Sequence, residues 1–269
     1  KVFSNYGCIL KNLGKLDEAE KYLRKAVAIN KNFANANFNL GITLFALGRI
    51  SEGLEYLLKT TDIDAETPYL FPTIIDLINK SDISKFKRGQ LKKVLNILIR
   101  RKDIPHQLLF GSLNHIYKDF ISREFNVTKS FVTLVEDQLI INSLRKIIFR
   151  DSNWEIILTK TRSNFLDLIN KGYVLKNNDL KFLISLSEQC YLNDYVFSIT
   201  KNEDKNINNL CNMLLNLEFK ESYVCILSCY MSLSKILKKI PKLKEFCYSN
   251  LNLEDLTRSQ LKEPLKEIE

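Results

Sequence analysis

A spacing of 34 residues constrains this chain more than any other feature. Gly7, Leu10, Leu13, Gly14, Tyr22, Leu23 and Ile29 recur as Gly41, Leu44, Leu47, Gly48, Tyr56, Leu57 and Ile63, each pair 34 apart. A fixed period of this size belongs to supersecondary units that stack, because no single unit can bury its own apolar face. On both sides of each central glycine the apolar residues follow helical spacing. The first helix of each unit is expected to end at Leu13 or Leu47. Gly14 or Gly48 then takes the left-handed conformation that closes a helix without a Cβ clash. Asp17 reads as the N-cap of the second helix, with Glu20 in capping-box register, and Ser51 repeats the cap. Gly7 and Gly41, facing Ala19 and Ala26 or Gly53 and Thr60, would let the paired helices approach closely.

These residues resemble the tetratricopeptide repeat, with Leu40, Gly41, Leu44, Gly48, Gly53 and Leu57 in the family's characteristic slots. Phe3 suits an aromatic slot where the second unit has Asn37, and Lys31 and Ala65 replace the usual closing proline. The resemblance covers residues 1–66 and implies stacked helix hairpins that bind proteins. A degenerate third pair is expected over 67–103, with Pro68 near a helix start and Ile75 in the place of the close-approach glycine. From residue 104 to 269 helical patterns continue without a period, around 105–120, 131–149, 153–170, 178–199, 206–217, 221–239 and after Asn252. "KGYVLKNND", "TKNEDKN" and "KKIPKLKEF" read as breaks. No run alternates with period two, so the fold class is all-α: helix-turn-helix repeats continuing into an irregular helical array.

Residues 182–204, with Cys190, Asn193, Tyr195 and Phe197, resemble a segment of bacterial proteins that join tetratricopeptide repeats to a methyltransferase. So does "LKEPLKEIE" at 261–269. That resemblance implies a helical region leading into a further C-terminal domain that uses S-adenosylmethionine. Within the chain itself no cofactor is expected. Its eight glycines include no G-x-G arrangement, and neither a dinucleotide fingerprint nor a P-loop is present.

Other chemistry has bland readings. Cys225 and Cys229 share one helical side but lack two further ligands, so buried thiols are expected and no metal. His106 and His115 are the two histidines, without a thiol nucleophile placed beside them in sequence. Glu136–Asp137 and Glu254–Asp255 are adjacent, so each pair diverges around its helix. The net charge of +9 is concentrated in "KFKRGQLKKVLNILIRRK", residues 85–102. At 100° per residue Lys85, Lys92, Lys93 and Arg100 form one stripe, opposite Leu91, Val94, Ile97 and Leu98. That stripe is a candidate face for nucleic acid or an anionic membrane, behind solvated surface and a protein partner.

If the family geometry holds, Ser4, Cys8, Phe38, Ile42 and Phe45 line an inner groove suited to an apolar peptide helix, or to packing from within the chain. A protein or peptide partner is therefore expected ahead of nucleic acid or membrane. The stretch 222–234 is too short to span a bilayer, which takes about 20 residues, and no signal sequence precedes the first helix. A cytoplasmic piece, its true start missing, is the expected setting, and a free-standing adaptor is the alternative to a methyltransferase-linked scaffold.

Overall fold

Each repeat hairpin is built around one two-residue turn. Helix α1 (Val2–Asn12) is closed by Leu13, and Gly14 follows at φ +77°. The Gly14 N–H donates to the Lys11 carbonyl and the Lys15 N–H to the Leu10 carbonyl, a full Schellman motif. Helix α2 (Leu16–Ile29) starts immediately. The second hairpin, α3 (Ala34–Ala46) and α4 (Ile50–Ile63), repeats this at Gly48, φ +76°, with Arg49 N–H reaching the Leu44 carbonyl at 2.8 Å.

This economy corrects the expected caps. Asp17 and Ser51 lie inside the first turns of α2 and α4, and neither helix has a side-chain cap. Lys15 and Arg49 do both jobs through their backbone: the N–H closes the first helix while the carbonyl accepts from Ala19 or Gly53, at 3.0 and 2.9 Å. Asp17 and Glu18 still favour the positive end of α2. The glycine contacts are as tight as expected. A Cβ on Gly7 would fall 2.7 Å from Leu23 Cγ, and one on Gly41 2.9 Å from Leu57.

The structure is a computed structural model that describes residues 1–121 and 127–261; the likeness at 261–269 falls beyond Leu261, outside the described residues. All regular elements among the described residues are helical. Two compact units are formed, Lys1–Tyr117 and the described residues from Lys118 onward.

In the first unit, α1 to α4 enclose Leu10, Ala19, Leu23, Ala26, Leu40 and Leu44. Each large aliphatic side chain so buried contributes about 1.5–3 kcal/mol relative to exposure. Both α5 (Leu70–Lys80) and α6 (Arg88–Leu98) then pack on α4. Ile75, in the place of a glycine, is itself buried in α5. Pro68 precedes this helix, whose N-cap Tyr69 sits at φ 59°. Helix α7 runs from Phe110 to Ile121.

The second unit is organised around α11 (Asn177–Leu192), in which every residue from Phe182 to Cys190 is buried. A helix buried on all sides must be surrounded by others. Those around it include α8 (Val127–Glu136), α9 (Gln138–Leu144), α10 (Ser152–Asn170), α13 (Glu221–Leu227) and α16 (Glu254–Leu261). Helix α12 (Lys201–Leu215) packs on α10 and α13, α14 (Leu233–Lys239) on α13 and α16, and α15 (Leu243–Ser249) on α16.

Several sequence boundaries change. The pattern at 131–149 divides at Asp137, whose carboxylate accepts from Leu139 N–H and starts α9. The pattern at 221–239 divides into α13 and α14, with Ser232 capping the latter. The helix expected to 199 stops at Leu192, after which Asp194 and Tyr195 have positive φ. "TKNEDKN" is not a break but the start of α12. Thr200 and Glu203 form a capping box, Glu203 accepting from Thr200 N–H at 2.8 Å. Likewise α15 begins inside "KKIPKLKEF".

Candidate interaction surfaces

The first helices of the hairpins carry the candidate groove. Cys8, at the place on α1 equivalent to Ile42, is half-buried, as are Phe38 and Ile42 on α3. Phe38 and Ile42 are one turn apart and so share a face. Ser4 and Phe45 are buried. Phe45 packs inward: its ring is 6.1 Å from that of Phe86, and it lies against the space a side chain at Gly53 would need. Phe45 is thus covered by its own unit, while Cys8, Phe38 and Ile42 retain exposure. Beside them Lys11 Nζ donates to Asn39 Oδ1 at 2.9 Å, tying α1 to α3.

Asn37 emerges as a residue whose role the sequence hides. Fully buried, it donates through Nδ2 to the carbonyls of Lys31 and Phe33 at 3.0 and 2.9 Å. It braces the turn into α3 that lacks the usual proline at residue 31. The only hint is its place in the aromatic slot filled by Phe3 in the first unit.

The second helices are joined by an ionic network. Glu20 accepts from Arg24 at 2.7 Å and Arg49 at 2.6 Å, and both arginines also meet Glu52. Burial opposes the charge on Glu52, yet its bonds to Arg24 and Arg49 hold the carboxyl below the usual range. The network links Glu20, read as a cap partner, to the next repeat instead.

The basic stretch does not form one helical stripe. Lys85 belongs to the 3-10 turn Ile83–Lys85, Lys92 and Lys93 lie on α6, and Arg100 follows its C-cap, Ile99. Lys85, Lys93 and Arg100 are exposed, whereas Lys92 is half-buried with Nζ 5.8 Å from the Tyr117 ring centroid. Neighbouring charges are locally engaged: Lys87 with Glu55 at 3.7 Å, and Arg101 with Asp103 at 2.7 Å. Leu91, Val94 and Leu98 are buried beneath them.

Reactive side chains are placed structurally. Cys225 and Cys229 are buried, and desolvation pushes both thiols well above their ordinary pKa. Cys247 is raised to about 11 by burial. Such thiols stay protonated near neutrality and act as small hydrophobes. Among the described residues no cluster of three histidines, cysteines or acids could hold a metal. His106 Nε2 bonds the Arg101 carbonyl at 2.8 Å, and His115 is half-buried on α7. Of the paired acids, Asp137 caps α9, Glu254 pairs with Arg258, and Asp255 meets Arg145 at 3.1 Å.

The strongest polar cluster in the second unit lies inside it. Arg162 and Glu203 are each 1% exposed and 3.6 Å apart. Arg162 donates to the Ser198 carbonyl at 2.6 Å and lies 4.1 Å over the Tyr230 ring, whose hydroxyl donates to Glu203 at 2.7 Å. Burial pushes the Glu203 carboxyl upward. The Thr200 N–H, the Tyr230 hydroxyl and Arg162 outweigh it and hold that carboxyl below its ordinary value. Arg162 and Glu203 thus find most of their partners among buried groups of the same unit, although Arg162 Nε has none. A cavity of about 330 Å³ elsewhere in this unit, beside Tyr173 and Lys220, has its acid Glu221 already bonded to Asn250 and Asn252.

Among the described residues no helix is long and apolar enough to cross a membrane. No curated protein matches the chain. The tetratricopeptide-repeat family profile matches residues 1–33, the hairpin of α1 and α2 that α3 and α4 repeat 34 residues later.

Proposed function

We propose that this chain is a non-catalytic helical scaffold that binds a protein partner along the first helices of its repeats. The observation that carries the reading is the pair Phe38 and Ile42, apolar, half-buried and one turn apart on α3, with Cys8 at the matching place on α1. The tetratricopeptide match supports it, since repeats of this kind generally mediate protein–protein interaction. An amphipathic helix of the partner would set its apolar side against these residues. Phe38→Glu is expected to abolish partner capture in a pull-down while leaving the melting temperature within a few degrees, and Lys92→Glu is expected to leave capture intact. Capture that ignores Phe38→Glu but is lost in Lys92→Glu and weakens steeply with salt would transfer the function to the basic residues 85–102.

In its finer form the proposal sets this scaffold beside a methyltransferase domain that uses S-adenosylmethionine, in a cytoplasmic protein. The likeness of residues 182–204 is its support, and six free cysteines accord with a reducing compartment. A glycine-rich strand–turn–helix motif in the reading frame after Glu269 would bear it out; a stop codon there would remove it.

A further inference from the structure

Helix α10 ends in a turn at Gly172, φ +86°, where the Tyr173 N–H closes back on the Leu168 carbonyl at 3.0 Å. The chain then passes through Val174 and Leu175 into α11. Along this run lies the cavity of about 330 Å³, which also takes in the start of α13. Its apolar surface comes from Ile169, Leu175, Leu180 and Tyr223. Charges of both signs meet that surface: the ammonium groups of Lys176 and Lys220, and the carboxylate of Glu221. The volume falls at the lower end of the range of small-molecule sites, about 300–1,000 Å³.

The polar lining is held in place by bonds behind it. Asp179, buried in the first turn of α11, accepts from the Lys176 N–H at 2.8 Å and from the Tyr173 hydroxyl at 3.2 Å. At the start of α13, Lys220 Nζ donates to the Tyr223 hydroxyl at 3.1 Å. Asn250 and Asn252 both donate to Glu221 Oε1, at 3.0 and 3.1 Å. These amides hold the Glu221 carboxyl below its usual range, so it is charged at neutral pH. A carboxylate offers about four acceptor positions and an ammonium three donors. Glu221 and both lysines therefore keep capacity for a ligand.

We infer that this cavity binds a small zwitterion with an apolar side chain, of the chemistry of an apolar amino acid or dipeptide. The ligand's carboxylate meets Lys176 and Lys220, its ammonium meets Glu221, and its side chain covers Ile169, Leu180 and Tyr223. A simple anion would be set against Glu221 and a simple cation against two lysines, and like charges so juxtaposed cost affinity. A ligand carrying both charges matches the lining as it stands. The site lies wholly within the second unit and does not depend on the groove at Phe38 and Ile42.

The test is a chemical-shift titration of the isotope-labelled full chain with the dipeptide leucyl-phenylalanine and with free phenylalanine. Saturable shifts at Tyr173, Lys176, Leu180 and Tyr223 are expected with either compound, and the tighter of the two fixes the ligand's length. Acetylating the dipeptide's amine, or amidating its carboxylate, is expected to weaken binding about tenfold or more, the usual worth of a hydrogen bond to a charged group. The double variant Lys176→Ala, Lys220→Ala, at two exposed positions, is expected to erase the effect of amidation, and Glu221→Gln that of acetylation. Glu221→Gln keeps an acceptor for Asn250 and Asn252; should it still unfold, the acetylated dipeptide on the parent chain tests the same contact. Three results overturn the inference: no saturable shift at millimolar concentration, shifts confined to residues away from the cavity, or blocked dipeptides that bind as well as the free one.

Discussion

Replacing Arg162 by alanine is expected to destabilise the second unit by about 3–5 kcal/mol, the usual cost of leaving one charge of a buried pair uncompensated. Glu203, 1% exposed beside Arg162, would keep the Tyr230 hydroxyl and the Thr200 N–H but lose that cation. The Arg162 guanidinium also lies over the Tyr230 ring and 5.7 Å from that of Phe197, so cation–π contacts are lost with the charge. Urea unfolding followed by circular dichroism would show the loss as a lower midpoint at neutral pH. The double variant Arg162→Met, Glu203→Gln removes both charges and is expected to recover most of it. A change below about 1 kcal/mol for Arg162→Ala, the range of exposed pairs, would show that the pair is not closed in solution.

The same pair sets an acid limb. The Glu203 carboxyl is held below its ordinary pKa in the folded chain. Its contribution is therefore complete above the unfolded value of about 4.3, and is lost as pH falls through the lower, folded value. Glu203→Gln is expected to be less stable than the parent at pH 7, with the difference shrinking on acidification below about pH 4. A difference that grows instead as the pH is lowered would contradict the assignment.

Gly53→Ala is the second large effect, about 1–3 kcal/mol of destabilisation by overpacking. The new methyl would stand 2.5 Å from Phe45 Cδ2 and 2.8 Å from the Gly41 carbonyl oxygen. The ring can swing, but the carbonyl belongs to the backbone of α3, so the two helices must part. Helix propensity, worth up to about 1 kcal/mol in favour of alanine, offsets only some of this. Gly48→Ala separates the two roles of glycine in the repeat. Nothing lies within 4 Å of the added carbon there, and the cost comes from φ +76° alone, about 1–2 kcal/mol. Thermal unfolding of the two variants would show whether strain and crowding add as expected. A Gly53→Ala chain as stable as the parent would mean that α3 and α4 do not touch where they cross.

What could be read beforehand follows from the range of the interactions. Gly14 and Gly48 announce their turns because a left-handed residue after a helix is a local requirement. Gly7 and Gly41 announce close approach because the period repeats them. Asp17 misleads, since an acid in the first turn of a helix reads like its N-cap, and here the backbone of Lys15 both closes α1 and opens α2. Thr200 and Glu203 were readable in principle as a capping box, but the polar run around them resembles a loop. Phe45 has the spacing of a groove residue, yet Phe86 lies against it and draws it into the core. The Arg162, Glu203 and Tyr230 cluster is silent in one dimension. Its members stand on or after three different helices, and only tertiary packing brings them together.

The most direct measurement of the stacked-hairpin account is a pair of nuclear Overhauser contacts in the isotope-labelled chain. Cross-peaks are predicted between the Leu23 methyls and the Gly7 Hα protons, and between the Leu57 methyls and those of Gly41. Clear assignments for all four residues with neither cross-peak present would contradict it.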